Sequence, residues 1–424
     1  MVRDPFRVVS RAYGRAMPRS PSSPAFWRSP LRGPWFTAVL GVVLLGGITV
    51  LFVTGLVSYA AYNPDLSPVN DKTPDKGLLG FYLFSWPTGP VWLYRLTQGV
   101  HVTLGIVLVP VLLAKLWSVV PKLFALPPAR SLAHALERIS LLLLVGGALF
   151  EFTTGILNIQ LDYVFPGSFY PLHFYGAWVF FAAFVAHAVL KMPTALRALR
   201  HPHDEQGDLV APDPAEPTVS RRGALGVVGG GSLLLFVTTA GRSFDGPLRR
   251  TAVLTPHGGP EPGGGPAGFQ INKTAASRGI SASETTEEAW RLVVRGRGRT
   301  VRLSRSDLLG LPQHSAALPI ACVEGWSTSD QWWRGVRLRD LAALVGYEPQ
   351  EAPDVLVESL QRHGAFRSAA LRDNQVRDPR SLLALHVNGA PLTPDHGHPA
   401  RVIVPAAPGV LNTKWVARMT FGDL

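Results

Sequence analysis

The chain has 424 residues, of which 47% are hydrophobic and only 17% are charged. It is long enough for two or three domains, and its charge content is low for a wholly soluble protein. The formal net charge of +12 comes from basic residues that flank apolar runs, which favours a lipid membrane over nucleic acid as the partner. A single cysteine excludes an intramolecular disulfide.

Apolar segments in the first 240 residues predict a bundle of about five transmembrane helices. A helix needs roughly 20 mainly apolar residues to cross a bilayer. The fifth segment is short and rich in glycine, so a segment resembling a signal peptide is its alternative. The predicted spans are Trp35–Tyr62, Trp92–Leu116, Leu136–Leu157, Tyr170–Met192 and Gly223–Ala240.

Basic residues in the connecting segments predict the orientation of the spans, because Lys and Arg are retained on the cytoplasmic side. Seven arginines precede the first span, and lysines and arginines also follow the second and fourth spans. Acidic residues mark the segments after the first and third spans, including Asp65, Asp71, Asp75 and Asp162. We therefore expect a multi-pass protein of the cytoplasmic membrane, with its N-terminus inside and its C-terminal domain outside.

Two arginines precede the fifth span in the sequence TVSRRGAL, Thr218–Leu225. Followed by an uncharged stretch and then by small residues, they resemble a twin-arginine export signal placed inside the chain. Such a signal suits a domain that receives a large cofactor in the cytoplasm and crosses already folded. The alternative is that Arg221 and Arg222 only anchor the helix end on the cytoplasmic side.

Four histidines lie in the predicted spans or at their ends: His101, His134, His173 and His187. Ionisable groups at membrane depth are costly and indicate function. The step from His173 to His187 is nearly four helical turns, about 21 Å, so both rings face one side. The topology pairs His101 with His173 and His134 with His187, and paired imidazoles are typical axial ligands of haem iron.

This arrangement of helices and histidines, over Trp35–Met192, resembles the four-helix membrane b-type cytochromes. The resemblance implies one or two b-type haems with these histidines as ligands. The alternative is that the membrane histidines only form hydrogen bonds to neighbouring helices.

The composition becomes that of a soluble mixed domain from Phe269 onward. Strands are predicted at Trp290–Val294 and Arg401–Val404, and short helices at Ser306–Gly310 and Leu338–Val345. An α+β fold with antiparallel strands fits this pattern. The predicted organisation is a basic tail (1–34), a four-helix bundle (35–192), a linker (193–220), the fifth helix (221–241), a Gly/Pro linker (242–268) and a C-terminal domain (269–424).

The C-terminal domain contains the most specific motifs of the chain. They are PIACVEGWS at Pro319–Ser327, QWWRGVRLRDL at Gln331–Leu341 and LALHVNGAPLTPDHG at Leu383–Gly397. These segments resemble the oxidoreductase molybdopterin-binding domain of sulfite oxidases, plant nitrate reductases and bacterial periplasmic methionine sulfoxide reductases. The resemblance covers much of Trp290–Phe421.

The resemblance implies that the Cys322 thiolate binds molybdenum together with the dithiolene of one molybdopterin. A thiolate is a soft, strongly donating ligand, and Cys322 is the only residue that can supply one. An anionic cofactor needs cationic and polar donors, which makes Arg401, His396, His398 and Lys414 candidates to bind it. The alternatives are a buried apolar cysteine, surface salt bridges and a structural turn at Asp395–Gly397.

Together these features predict a membrane-bound, molybdenum-dependent oxidoreductase. It would transfer an oxygen atom on a small external substrate of sulfoxide or sulfite type, and the haem would relay electrons to or from a quinone. The direction of electron flow stays open. The alternative function is a non-catalytic external binding domain on a membrane cytochrome that conducts electrons.

Overall fold

The computed structural model describes residues 20–22, 26–66, 84–124, 131–159, 169–202, 214–255 and 264–424. The side chains of residues 133, 134 and 137 are left out. Several residues that set the predicted orientation lie outside the described residues, namely Arg3, Arg7, Arg11, Arg15, Arg19, Asp71, Asp75 and Asp162.

Within the described residues, six α-helices cover the apolar first part of the chain, and each predicted span is helical. They are α1 (Pro34–Ala60), α2 (Leu93–Val107), α3 (Val109–Phe124), α4 (Leu132–Asn158), α5 (Tyr170–Arg200) and α6 (Arg221–Ser243). Among the described residues, four of these helices are long and apolar enough to cross a membrane, or five spans if α2 and α3 count as one. This finding rests on length and composition alone.

The second predicted span is broken, and the fourth is longer than predicted. α2 and α3 meet at an angle of 42° around Leu108. Pro110 explains the bend, because proline has no amide proton for the carbonyl four residues earlier and its ring crowds that carbonyl. α5 continues to Arg200 through Pro193, so the first residues of the predicted linker 193–220 are helical.

The chain divides into two compact units, each considered over its described residues. An apolar cluster that includes Phe36, Leu40, Leu112 and Phe180 forms the core of the first unit. The second unit contains the C-terminal end of α1, most of α2 and the C-terminal domain. The first unit is Met1–Phe52, Leu104–Leu157 and Ser168–Phe236, and the second is Val53–Thr103, Asn158–Gly167 and Val237–Leu424.

The C-terminal domain contains two five-stranded sheets. One has the strand order β2-β1-β10-β5-β6, and the other has the order β3-β4-β7-β8 with β9 also paired to β7. The first sheet comprises β1 (Leu292–Gly296), β2 (Arg299–Leu303), β5 (Val355–Ser359), β6 (Ser368–Leu371) and β10 (Val416–Phe421). The second comprises β3 (His314–Leu318), β4 (Gln331–Arg337), β7 (Leu382–Val387), β8 (Ala390–Pro391) and β9 (Arg401–Ile403).

The mixed α+β class predicted for this domain agrees with its two sheets and its short helices. Those helices are α7 (Arg305–Gly310), α8 (Leu338–Leu344) and α9 (Asp373–Arg377). The strands pair antiparallel, as predicted, with the exception of β1 and β10, which run parallel. Parallel strands need a long crossover, and here the rest of the domain lies between the two strands in sequence.

Strand β7 shows why the second sheet is buried on both faces. Side chains alternate across a strand, so neighbouring residues face opposite sides. Leu383 and Leu385 belong to the large core shared with the first sheet, whereas Leu382 and Ala384 belong to a smaller cluster on the other face. Cys322 lies in that smaller cluster, which places it on the face of the second sheet turned away from the first.

Candidate functional site

Cys322 lies in a tight loop between β3 and β4, which we call the cysteine loop (Ala321–Ser327). The Cys322 amide donates to the Trp326 carbonyl at 2.8 Å, and the Gly325 amide donates to the Cys322 carbonyl at 3.1 Å. Gly325 has a φ of +93°, a conformation that favours glycine. The Gly409 amide also donates to the Ala321 carbonyl at 2.7 Å, so a second segment supports the loop.

The Cys322 thiol is buried, with 3% of its surface exposed. Its Sγ lies 3.5 Å from Oε2 of Glu324, and the same oxygen accepts a hydrogen bond from Nε1 of Trp326 at 2.8 Å. Burial, and then the Glu324 carboxylate, raise the pKa of Cys322 well above its usual value. The thiol is therefore protonated at neutral pH, and a metal cation would have to displace the proton to bind the thiolate.

Two buried cationic side chains accompany the cysteine. Arg401 is 3% exposed, its guanidinium lies 5.4 Å from the centre of the Trp333 ring, and its Nε has no hydrogen-bond partner within the described chain. Burial lowers the pKa of Arg401 to about 9, whereas nearby Cys322 raises it. Such a poorly compensated charge is costly unless an anion joins it.

Lys414 is the second cation. Its Nζ donates to the carbonyl oxygens of Lys273 at 2.9 Å and Asp395 at 2.8 Å. Burial, followed by the positive charge of Arg401, lowers the pKa of Lys414 well below its usual value. Because burial disfavours both charged forms and Arg401 further disfavours that of Lys414, a phosphate or a dithiolene at this position would stabilise both cations. The residues present thus fit an anionic cofactor such as molybdopterin.

Gly397 brings these two cations close together. It has a φ of +110°, and a Cβ added there would lie 3.2 Å from the Cβ atoms of both Arg401 and Lys414. A side chain would therefore be strained by its backbone and crowded by both neighbours. The segment Asp395–Gly397 is therefore packed against both cations.

The two predicted histidines differ in their surroundings. His396 is 1% exposed, and its Nδ1 lies 2.8 Å from the Thr393 hydroxyl and its Nε2 3.2 Å from the Phe269 carbonyl. A carbonyl only accepts, so Nε2 donates to Phe269 and Nδ1 accepts from Thr393. Both ring nitrogens are thus engaged by the protein. His398 is half-buried, and burial followed by the charge of Arg305 lowers its pKa.

Sequence reasoning missed Lys273 and Phe269 as neighbours of this site. Lys273 lowers the pKa of Cys322 through its charge, although burial and Glu324 outweigh it. The ring of Phe269 lies 4.1 Å from that of His396. Both residues come before the recognisable motifs, and no local pattern in the sequence marks them.

The histidines of the apolar helices are described within their own units. In the second unit, Nδ1 of His101 lies 3.3 Å from the Thr54 hydroxyl. In the first unit, Nδ1 of His173 lies 3.0 Å from the Thr154 hydroxyl and 3.1 Å from Oε2 of Glu151. His187 lies on α5, and His134 lies on α4 with its side chain outside the described part.

Each of these threonines is followed by a glycine, whose lack of a side chain leaves room for the ring of the histidine that the threonine contacts. A Cβ at Gly55 would lie 3.1 Å from Cε1 of His101, and a Cβ at Gly155 would lie 3.3 Å from Cε1 of His173. The Thr-Gly pairs 54–55 and 154–155 thus hold a histidine in the same way in two different helix pairs. Within the described residues, no group of three or more His, Cys, Asp or Glu is arranged to bind a metal ion.

Comparison with known proteins identifies the C-terminal domain. Residues 279–423 match the family described as oxidoreductase molybdopterin binding domain. Over 158 residues the chain is 30% identical to the mitochondrial sulfite oxidase of Drosophila melanogaster, covering 32% of this chain and 28% of that protein. It is 35% identical over 133 residues to the uncharacterized oxidoreductase YuiH of Bacillus subtilis (strain 168), covering 31% of this chain and 65% of YuiH.

A solved structure is also similar. The sulfane dehydrogenase SoxCD from Paracoccus pantotrophus shares 23% identity, with a TM-score of 0.30, over 33% of this chain and 39% of that chain. The family match and the curated relatives show that residues 279–423 form an oxidoreductase molybdopterin-binding domain of the sulfite oxidase family, which indicates an oxidoreductase enzyme.

Proposed function

We propose that the protein is a membrane-bound, molybdenum-dependent oxidoreductase that transfers an oxygen atom to or from a small substrate outside the cytoplasm. The observation that carries this proposal is the buried Cys322 beside the cations Arg401 and Lys414 in a domain of the sulfite oxidase family. When bound, molybdopterin would supply the dithiolene and a metal that exchanges two electrons. The Cys322 thiolate would ligate this metal, and the two cations would bind the anionic groups of the cofactor.

The substrate class follows from the relatives. Sulfite oxidases act on sulfite, a small sulfur compound, as their name states. We propose a sulfite-like or sulfoxide-like substrate for this chain. The cationic residues around Cys322 would favour an anionic or strongly polar molecule.

The membrane location is part of the same proposal. Its support is the length and composition of the apolar helices and the arginines at their ends. Arg221 and Arg222 begin α6, the helix that leads to the molybdopterin-binding domain. We propose that they belong to a twin-arginine signal through which this domain is exported after it has folded.

We further propose that the membrane helices bind b-type haem through His101 and His173, with His134 and His187 as a candidate second pair. The support is the repeated Thr-Gly arrangement, which orients each ring through Nδ1 and leaves no side chain at the position facing Cε1. A fixed Nδ1 contact is the usual way to orient a metal-binding histidine. The haem would connect the molybdenum domain with a quinone as electron donor or acceptor.

The glycines allow a controlled test of haem binding. Gly55→Ala and Gly155→Ala would crowd His101 and His173, whereas a Cβ at Gly46 or Gly146 of the same helices would meet nothing within 4 Å. All four changes raise helix propensity by a similar amount. The two pairs of variants therefore differ in whether the added methyl group crowds a histidine. We expect Gly55→Ala and Gly155→Ala to lose haem absorbance in reduced-minus-oxidised spectra of purified protein, and Gly46→Ala and Gly146→Ala to keep it. Equal spectra for all four variants would contradict the assignment.

A further inference from the structure

The cysteine loop contacts helix α2, which lies far from it in sequence. Nε2 of Gln98 donates a hydrogen bond to the carbonyl of Val323, the residue after Cys322. Val102, one turn further along α2, packs against Gly325, since a Cβ added to Gly325 would lie 2.7 Å from the Cβ of Val102. All of these residues belong to the second compact unit.

The end of helix α6 holds the other side of the loop. The Ser327 amide donates to the Arg242 carbonyl at 2.8 Å, and the Ser327 hydroxyl donates to the Ser243 carbonyl at 2.7 Å. Nη2 of Arg249 in turn donates to the Ser327 carbonyl at 2.6 Å. We call the residues that hold the loop the loop seat, and they are Gln98, Val102, Arg242, Ser243 and Arg249.

The two sides of the loop seat are also joined to each other. The Thr103 hydroxyl on α2 donates to the Ser243 hydroxyl on α6 at 3.3 Å. Gly99 lets α2 approach Phe244, whose ring would lie 2.9 Å from a Cβ at that position. The loop seat is therefore one continuous surface, formed by α2, the C-terminal end of α6 and the short turn Pro247–Thr251 that follows it.

The loop seat lies outside the part of the chain that matches the family, which begins at residue 279. The loop seat contacts the cysteine loop at Val323, Gly325 and Ser327. Cys322 therefore directly precedes the first contacted residue and lies three positions before the second. The direction of the Cys322 side chain follows from the backbone of this short loop. A small movement of the loop seat would therefore turn Sγ relative to a metal bound to it.

We propose that the loop seat orients the Cys322 side chain for binding molybdenum. Helices α2 and α6 would then help to form the metal site in addition to anchoring the C-terminal domain. Gln98 and Val102 are positioning residues in this account, because they act through the loop and do not touch the metal. The inference rests on the proposed function only in that Cys322 binds molybdenum.

Two glycines with similar backbone conformations provide the test. Gly325 has a φ of +93° and faces Val102, whereas Gly389 has a φ of +85° and a Cβ there would meet nothing within 4 Å. Gly325→Ala and Gly389→Ala therefore share the backbone strain but differ in the contact with the loop seat. The measurement is the electron paramagnetic resonance spectrum of the one-electron-reduced molybdenum, with molybdenum content determined on the same samples.

We expect Gly325→Ala to shift this spectrum and Gly389→Ala to leave it as in the wild type. Gln98→Leu, which keeps the side-chain size but loses the donor, should shift the spectrum in a protein that still binds molybdenum. Adding Val102→Gly to Gly325→Ala should move the spectrum back towards the wild type, a rescue that general loss of structure would not show.

The outcomes separate this inference from the proposed function. Wild-type protein without molybdenum would overturn the proposed function, and the inference with it. Wild-type protein with molybdenum, together with unshifted spectra for both Gly325→Ala and Gln98→Leu, would overturn the inference alone. If Gly325→Ala fails to fold, Gln98→Leu decides, since its change removes one hydrogen bond and introduces no clash.

Discussion

Arg401→Met should stabilise the cofactor-free protein against unfolding and lower the affinity of the protein for the cofactor. Burial lowers the pKa of Arg401 to about 9, far below its usual value. One unit of pKa corresponds to about 1.4 kcal/mol, so burying this charge costs the folded state on the order of 5 kcal/mol. Methionine removes the charge but loses part of the packing and polar contacts of the arginine, about 1–3 kcal/mol.

The free energy of unfolding of the cofactor-free protein should therefore rise by roughly 2–4 kcal/mol in Arg401→Met. The cofactor should bind more weakly, because a hydrogen bond to a charged group contributes about 1.5–3 kcal/mol, or roughly a 10- to 150-fold change in affinity. A residue that only supports the fold would show the opposite pattern, with lower stability and unchanged cofactor content.

The assay compares two preparations of each variant in detergent. Protein from a host that cannot make molybdopterin gives the stability by denaturant unfolding, and protein from a host that makes it gives the molybdenum content. Arg334→Met is the matched control, because Arg334 is exposed on strand β4 of the same sheet and its change should alter stability by less than about 0.5 kcal/mol. Lower stability of cofactor-free Arg401→Met, together with full molybdenum content, would refute the reasoning.

Three further predictions use other parts of the structure. Gly397→Ala should lower the free energy of unfolding by about 2–4 kcal/mol through backbone strain and crowding of Arg401 and Lys414. Gly389→Ala should show the backbone strain alone, about 1–2 kcal/mol. Equal losses for the two variants on denaturant unfolding would contradict this. Burial lowers the pKa of His396 to about 4, so the unfolded chain binds a proton between pH 6.5 and 4 that the folded protein does not, and stability falls as the pH falls. Between pH 7 and pH 5 the wild type should lose on the order of 2 kcal/mol more of its unfolding free energy than His396→Asn does, and an equal loss in that variant would argue against His396. If His173 binds haem as proposed, Glu151→Gln should raise the haem midpoint potential, because the Glu151 carboxylate 3.1 Å from the His173 imidazole would increase its electron donation. A redox titration with an unchanged potential would count against that role of Glu151.

The helices and the cysteine were predictable because their signals are local. A run of apolar residues without charges allows few structures other than a long helix, and the five predicted spans are all helical. The motif around Cys322 predicted a molybdopterin-binding domain, and the family match confirms it. The break near Leu108 was not predicted, although Pro110 is its physical reason.

The environment of the site could be predicted only in part. Arg401 and Lys414 were predicted as cofactor-binding cations, and both are buried close enough to Cys322 for their charges to interact. Whether they bind the cofactor stays a prediction, as does the role of His398. The engagement of both nitrogens of His396 depends on Phe269, which is 127 residues away in sequence, and no local pattern indicates such a contact.

The loop seat was the least predictable feature. Gln98 and Val323 are 225 residues apart, and neither belongs to a pattern that points to the other. Contacts of this kind depend on how two elements pack, which hydrophobic periodicity does not encode. The internal similarity of the Thr-Gly pairs 54–55 and 154–155 is visible in the sequence, but its meaning follows only when each pair is seen against a histidine.

The most direct test of the central claim is the molybdenum and pterin content of the purified full-length protein, measured beside Cys322→Ser. We predict close to one molybdenum and one pterin per chain in the wild type, and loss of molybdenum in Cys322→Ser, because a hydroxyl is a far poorer donor than a thiolate. Wild-type protein without molybdenum, or a Cys322→Ser variant that retains it in full, would contradict the assignment of Cys322 as the metal ligand.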